Sequence, residues 1–148
     1  MRAVNHVGLT VTDLERSLAF YRDVVGLDVQ VEHFRTGGRW FDTLTDNSGA
    51  VVDGAMLGDD SFCLQLLQYE EGGEPEPVTG HNRVGNVHLS INVSDVEAKR
   101  AQVVATGTRD ATPVVDLPVP GGRSFYVHDP DGVPVEFMQL PNPEKDQR

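Results

Sequence analysis

A single cysteine in 148 residues, Cys63, leaves no partner for an intramolecular disulfide and no thiolate set for a zinc cluster. Cys63 itself reads as a small hydrophobe of a strand rather than a reactive thiol. Positive charge is scarce: 12 Lys and Arg stand against 23 Asp and Glu, a net charge of −11. Nucleic acid and anionic membrane surfaces both require clustered cations, so neither is expected as a partner. The acidic balance selects no substrate. No apolar run approaches the ~18 residues of a membrane span. The N-terminal MRAVNHVGLTV turns polar too soon for a signal peptide. A cytoplasmic, non-membrane protein is the expectation. The length suits one domain, in which roughly 68–70% of the extended surface is buried.

What the chain does have is one statement made twice. Residues 4–15 read VNHVGLTVTDLE and residues 86–97 read NVHLSINVSDVE, each with a histidine (His6, His88) seven positions ahead of an aspartate (Asp13, Asp95). Further on, FCLQLLQ at 62–68 and VPVEFMQ at 133–139 align Gln65 with Glu136 and Gln68 with Gln139. The expected domain is therefore 1–148, built from repeat 3–69 and repeat 84–140 with a linker at 70–83. That linker is acidic, rich in Gly and Pro, and without periodicity. The tail beyond Leu140 is polar and reads as frayed.

Each copy predicts a strand, a helix and then further strands. Residues 3–11 alternate Val7, Leu9 and Val11 against His6, Gly8 and Thr10, the pattern of a half-buried strand. Thr12 and Glu15 form a capping box that starts a helix. Leu14, Leu18, Tyr21 and Val25 follow helical spacing, and Gly26 stops it. Strand segments follow near 28–35, 39–45, 50–57 and 61–69, one more than the second copy shows, which leaves a middle one open to being an excursion. In the second copy a strand spans 86–93, Ser94 and Glu97 form the capping box, and the helix runs to about Ala105 with Gly107 as its stop. Strands near 112–116, 123–128 and 133–140 complete it, with DPDG at 129–132 as a tight turn.

If the apolar face of each first strand packs under its helix, the face with His6 or His88 points to the other side of the sheet. On the last strands, Cys63, Gln65, Leu67 and Tyr69 share one face, as do Pro134, Glu136, Met138 and Leu140. Glu136 among apolar neighbours is a costly placement unless something binds it. Taken alone, any one of these residues is more simply a hydrogen-bonded structural group. Their recurrence at equivalent positions of both copies favours a shared purpose. Two imidazoles, one amide oxygen and one carboxylate suit a divalent Zn, Co, Ni, Mn or Fe ion. Four such ligands in an octahedral shell leave two positions open for a chelating substrate.

A tandem βαβββ plan with these residues on its first and last strands resembles the vicinal oxygen chelate superfamily of glyoxalases, bleomycin-resistance proteins and extradiol dioxygenases. The resemblance spans residues 3–140. It is carried by NHVGLTVTDLERSLAFYRDVVGL, FCLQLLQY, NVHLSINVSDVE and HDPDGVPVEFMQ. It implies an α+β fold of two modules forming a curved mixed sheet around one metal, held by His6, Gln65, His88 and Glu136. Glyoxalase I usually carries glutamate where Gln65 stands. The His, Gln, His, Glu set looks most like methylmalonyl-CoA epimerase, whose additional glutamate base has its nearest equivalent here in Asp53.

The resulting expectation is a metal-dependent lyase or isomerase. It would chelate neighbouring oxygens of a small substrate and move a proton with Glu136 or Asp53 as the base. The alternatives are an Fe(II) extradiol dioxygenase using His6, His88 and Glu136, and a non-catalytic drug- or metabolite-binding resistance protein. Strand edges suggest a homodimer. His128 and Trp40 read as structural, Arg39 as an anion contact, and His81 as a residue that reaches the site only if the linker folds over it.

Overall fold

The computed structural model describes residues 4–70 and 81–141, so most of the 70–83 linker and the tail beyond Pro141 lie outside the described residues. Contacts divide the chain into two compact units, Met1–Pro77 and Val78–Arg148.

The first unit runs β1 (Val7–Thr10), α1 (Leu14–Ala19), β2 (Val29–Gly37), α2 (Arg39–Thr45), β3 (Val51–Gly58) and β4 (Cys63–Tyr69). Helix α1 continues as a π-helical stretch over Phe20–Val25 and ends at Gly26, whose φ of 91° suits glycine. The sheet order is β1-β4-β3-β2, with β1 parallel to β4 and the other pairs antiparallel. The second unit runs β5 (Leu89–Asn92), α3 (Val96–Ala105), β6 (Val115–Asp116), β7 (Arg123–His128) and β8 (Pro134–Gln139). Its order is β5-β8-β7-β6, again with the first and last strands parallel. These are two βαβββ modules, each with a mixed four-stranded sheet, the α+β plan that the repeat predicts.

Both helices start one residue later than the capping-box reading. The caps are Asp13 and Asp95, whose carboxylates accept from Arg16 N at 2.9 Å and Ala98 N at 3.0 Å. A second acceptor comes from the sheet. The Gln68 side-chain oxygen accepts from Leu14 N at 2.7 Å, and Gln139 accepts from Val96 N at 2.9 Å. The repeated Gln68/Gln139 pair thus ties the last strand of each module to the start of its helix, satisfying a helix N–H that has no partner of its own.

That bond also identifies the helix side of each sheet. In the first module Leu64, Leu66 and Gln68 share a face with Ala55 and Leu57, and α1 covers it with Leu14, Leu18, Tyr21 and Val25. Ala55, Leu57, Leu64 and Leu66 are completely buried there, and each leucine contributes about 1.5–3 kcal/mol of transfer free energy. In the second module Phe125 stacks on Phe137, with centroids 5.1 Å apart, beneath α3.

One element overturns the strand expectation. Residues 39–45 form helix α2, entered through Gly38 at φ 91° and left through Asp46 at φ 52°. Phe41 decides this, because a helical turn drops its ring among Ala50, Val52, Leu67 and Tyr69. Trp40, expected as core, is instead 62% exposed and touches the Phe41 ring edge-on.

The DPDG turn is as expected. The Asp129 carboxylate accepts from Asp131 N and Val133 N, and Gly132 adopts φ 86°.

Candidate functional site

Each module sets its two candidate donors on neighbouring parallel strands in the same register. Gly8 pairs with Gln65 and Ser90 pairs with Glu136, and His6 and His88 each lie two residues ahead, immediately before the first strand begins. Alternation carried one residue beyond the strand start gives His6 the Gln65 face, and the His88 ring faces Tyr126, the partner of Glu136. This face lies away from the capping glutamine and its helix. Gly8 lies beside the amide: a Cβ there would make ordinary contact, 3.9 Å, with the Gln65 side-chain oxygen. His6 is exposed and its Nδ1 lies 2.7 Å from the Asn5 side-chain oxygen. Cys63, half-buried, begins β4 on the same face as Gln65.

The second module carries the more developed chemistry. Glu136 is buried, with 7% of its surface exposed. Ser124 Oγ donates to its Oε1 at 2.6 Å, and Tyr126, paired with Glu136 across the hairpin, shares its face. None of the ion pairs among the described residues involves Glu136. Burial, and then the Glu136 charge, push the Tyr126 phenol above its ordinary range. The Tyr126 ring is faced by His88 at 6.0 Å between centroids and by His81 at 4.8 Å. Beyond it on β7, His128 Nδ1 lies 2.8 Å from Asp110 Oδ2.

Asp53 does not join this arrangement. It pairs with Gln68, which puts it on the helix side of its sheet, opposite to Gln65. Its two oxygens are occupied by His33 Nε2 at 2.8 Å and Arg35 Nη1 at 2.7 Å. Asp53 is thus a cross-strand tie between β2 and β3, and its expected role as a base is withdrawn. Arg39, expected as an anion contact, begins α2 and is exposed. His81 packs edge-on against the Tyr126 and His128 rings, and His128 is partnered by a carboxylate rather than merely packed.

Sequence reasoning passed over Ser124, Tyr126 and Asp110. The first two were readable: Tyr126 and Glu136 each lie five residues from Asp131, at the centre of the DPDG turn, so hairpin symmetry pairs them. Asp110 follows α3 without a pattern, and only the folded chain brings it to His128.

The profile of the Glyoxalase/Bleomycin resistance protein/Dioxygenase superfamily matches residues 3–137. The chain belongs to that superfamily. Among its relatives in this superfamily, a 2-epi-5-epi-valiolone epimerase of Actinomyces sp is 30% identical over 146 residues, covering 94% of this chain and 80% of the relative. A lactoylglutathione lyase of Haemophilus influenzae is 32% identical over 143 residues, with 90% of each chain covered. The crystal structure of a glyoxalase family protein from Bacillus cereus superposes with a TM-score of 0.75 at 17% identity, over 94% of both chains, and shares the fold.

The residues expected as donors would suit a divalent ion by their chemistry: two imidazole nitrogens, an amide oxygen and a buried carboxylate that has no cationic partner among the described residues. Among the described residues, no three His, Cys, Asp or Glu side chains form a ready-made metal cluster. Each module supplies two donors.

Proposed function

We propose that the chain is a metal-dependent isomerase or lyase of the vicinal oxygen chelate type, with His6, Gln65, His88 and Glu136 as the ligands. Its substrate is a small molecule with two neighbouring oxygens, and the reaction moves a proton at the adjacent carbon. The observation that carries this reading is Glu136. A buried carboxylate that among the described residues accepts from the Ser124 hydroxyl and has no ion-pair partner is costly unless a cation completes its surroundings. A bound divalent ion supplies Lewis acidity that stabilises negative charge on a substrate oxygen. Ser124 orients the Glu136 carboxylate from the adjacent strand by donating to its Oε1. Among the relatives, the epimerase favours the isomerase form over the lyase, as does glutamine rather than glutamate at position 65.

The test loads the protein with Mn²⁺, measures bound metal by electron paramagnetic resonance, and follows deuterium entry into hydroxyacetone and dihydroxyacetone in deuterium oxide. The reading expects one ion per chain and exchange at the carbon beside the carbonyl, both lost in Glu136→Gln. Full exchange by metal-stripped protein, or equal Mn²⁺ binding by Glu136→Gln, would refute it. The same reading carries a homodimer, and sedimentation equilibrium decides between one chain and two.

A further inference from the structure

With Asp53 on the far face, the proton-transfer reading lacks a base that is not itself a ligand. The second module offers one. Tyr126 and His128 alternate on the same face of β7, and Tyr126 is paired with Glu136 while His128 is paired with Pro134. His128 therefore stands one inward-facing step, ~7 Å, from the Tyr126 level on the surface that carries Glu136. Its side chain keeps 32% of its surface exposed.

One oxygen of Asp110 accepts both the His128 backbone N–H at 3.1 Å and the ring Nδ1 at 2.8 Å. A carboxylate can only accept, so the proton of the neutral ring resides on Nδ1 and the lone pair on Nε2. Three further titratable groups surround the ring. His81, exposed on the segment before β5, packs edge-on to it at 5.8 Å between centroids. Tyr126 precedes it on the strand, with His88, immediately before β5, facing that tyrosine. Asp129 follows it, with one carboxylate oxygen accepting the turn amides of Asp131 and Val133. A carboxylate that orients an imidazole and stabilises its protonated form is the arrangement of a general base.

We propose that His128, oriented by Asp110, is the group that takes and returns the substrate proton, with His81 beside it as the exit to solvent. The proposal rests on the proton-transfer reading of the site. As the C–H bond beside the carbonyl breaks, its electron pair forms the C=C bond of an enolate and the carbonyl π pair moves to oxygen. The proton passes to His128 Nε2, and the resulting imidazolium is paired with Asp110. Return of a proton from Nε2 to carbon restores the ketone and the neutral ring. When that proton has exchanged with solvent through His81, the product carries deuterium.

Two measurements test this. Nitrogen-15 NMR of histidine-labelled protein, without added metal at neutral pH, should show His128 with a protonated Nδ1 and a bare Nε2. In Asp110→Asn the ring should become a mixture of tautomers. A wild-type ring protonated on Nε2 would overturn the proposal. In the Mn²⁺-loaded protein, His128→Gln should slow deuterium entry into hydroxyacetone by ~100-fold or more while Mn²⁺ binding and the circular dichroism spectrum stay unchanged. Asp110→Asn should slow it less, because the ring keeps its Nε2 but loses the carboxylate that fixes its tautomer. A His128→Gln variant exchanging within about threefold of wild type refutes the role of His128 alone. Wild-type protein that binds Mn²⁺ but exchanges neither hydroxyketone refutes the proton-transfer reading and this proposal with it.

Discussion

Replacing Gln68 with alanine tests the strand-to-helix tie that recurs in both modules. The Gln68 side-chain oxygen accepts from Leu14 N at 2.7 Å in a half-buried position, while Asp13 serves Arg16 N at 2.9 Å. Losing such a bond removes about 0.5–1.5 kcal/mol net, and a donor left stranded without water costs about 1–3 kcal/mol. Water reaches a half-buried helix end in part, so a loss of about 1–2 kcal/mol is expected. At about 2–4 °C per kcal/mol for a chain of this size, the melting temperature should fall by ~2–8 °C. Gln68→Glu is the informative control. It keeps an acceptor oxygen and adds a negative charge at a helix N-terminus, a favourable term of about 0.3–1 kcal/mol. Urea unfolding followed by circular dichroism, with the slope m unchanged, measures both. An alanine variant as stable as wild type, or a glutamate variant as weak as alanine, would refute the capping argument. The functional link is short: Gln65 lies three residues before Gln68 on β4. The alanine variant should therefore also weaken Mn²⁺ binding more than the glutamate variant does.

Manganese at ~100 times its dissociation constant should stabilise wild-type protein by about 2.7 kcal/mol in a thermal-shift titration, with little effect on Glu136→Gln. Asp53→Asn should leave hydroxyacetone exchange intact, since Asp53 lies opposite to Gln65. Its ties to the exposed His33 and Arg35 limit the stability loss to about 1 kcal/mol. Gly54→Ala should cost about 1–3 kcal/mol by denaturant titration, because the new Cβ would lie 2.3 Å from the Phe34 ring and 2.8 Å from the Leu66 carbonyl oxygen. Burial holds the Lys99 ammonium, over the Phe137 ring, below its ordinary pKa. The unfolded chain then binds that proton more tightly, so stability should rise as pH climbs from the folded value to the unfolded one. That rise should vanish in Lys99→Met.

Much of the fold is written locally. Alternation in VNHVGLTV and NVHLSINV, helical spacing from Leu14 to Val25, and glycine stops at Gly26 and Gly107 predict strand, helix and boundary, because each signal acts within a few residues. The duplication adds what a single copy cannot. It pairs His6 with His88 and Gln65 with Glu136, and the sheet registers Gly8–Gln65 and Ser90–Glu136 repeat that equivalence. The aligned Gln68 and Gln139 were legible as a pair, but their purpose was not. A side chain on the last strand capping the first helix is a contact across 54 residues in one module and 43 in the other.

What the sequence determined alone is the repeated unit, its family and the strand faces, since these follow from periodicity and from residues compared with their own duplicates. Tertiary structure decided the rest. Residues 39–45 became a helix because Phe41 finds burial against Val52, Leu67 and Tyr69, and local propensity yields to such packing. Asp53 left the site because pairing with Gln68 turns it to the helix side. The surroundings of Glu136, with Ser124 and Tyr126 across the hairpin and Asp110 behind His128, exist only once separate strands and loops have met. A side chain's type sets what chemistry it can do, and long-range contacts choose which partners are within its reach.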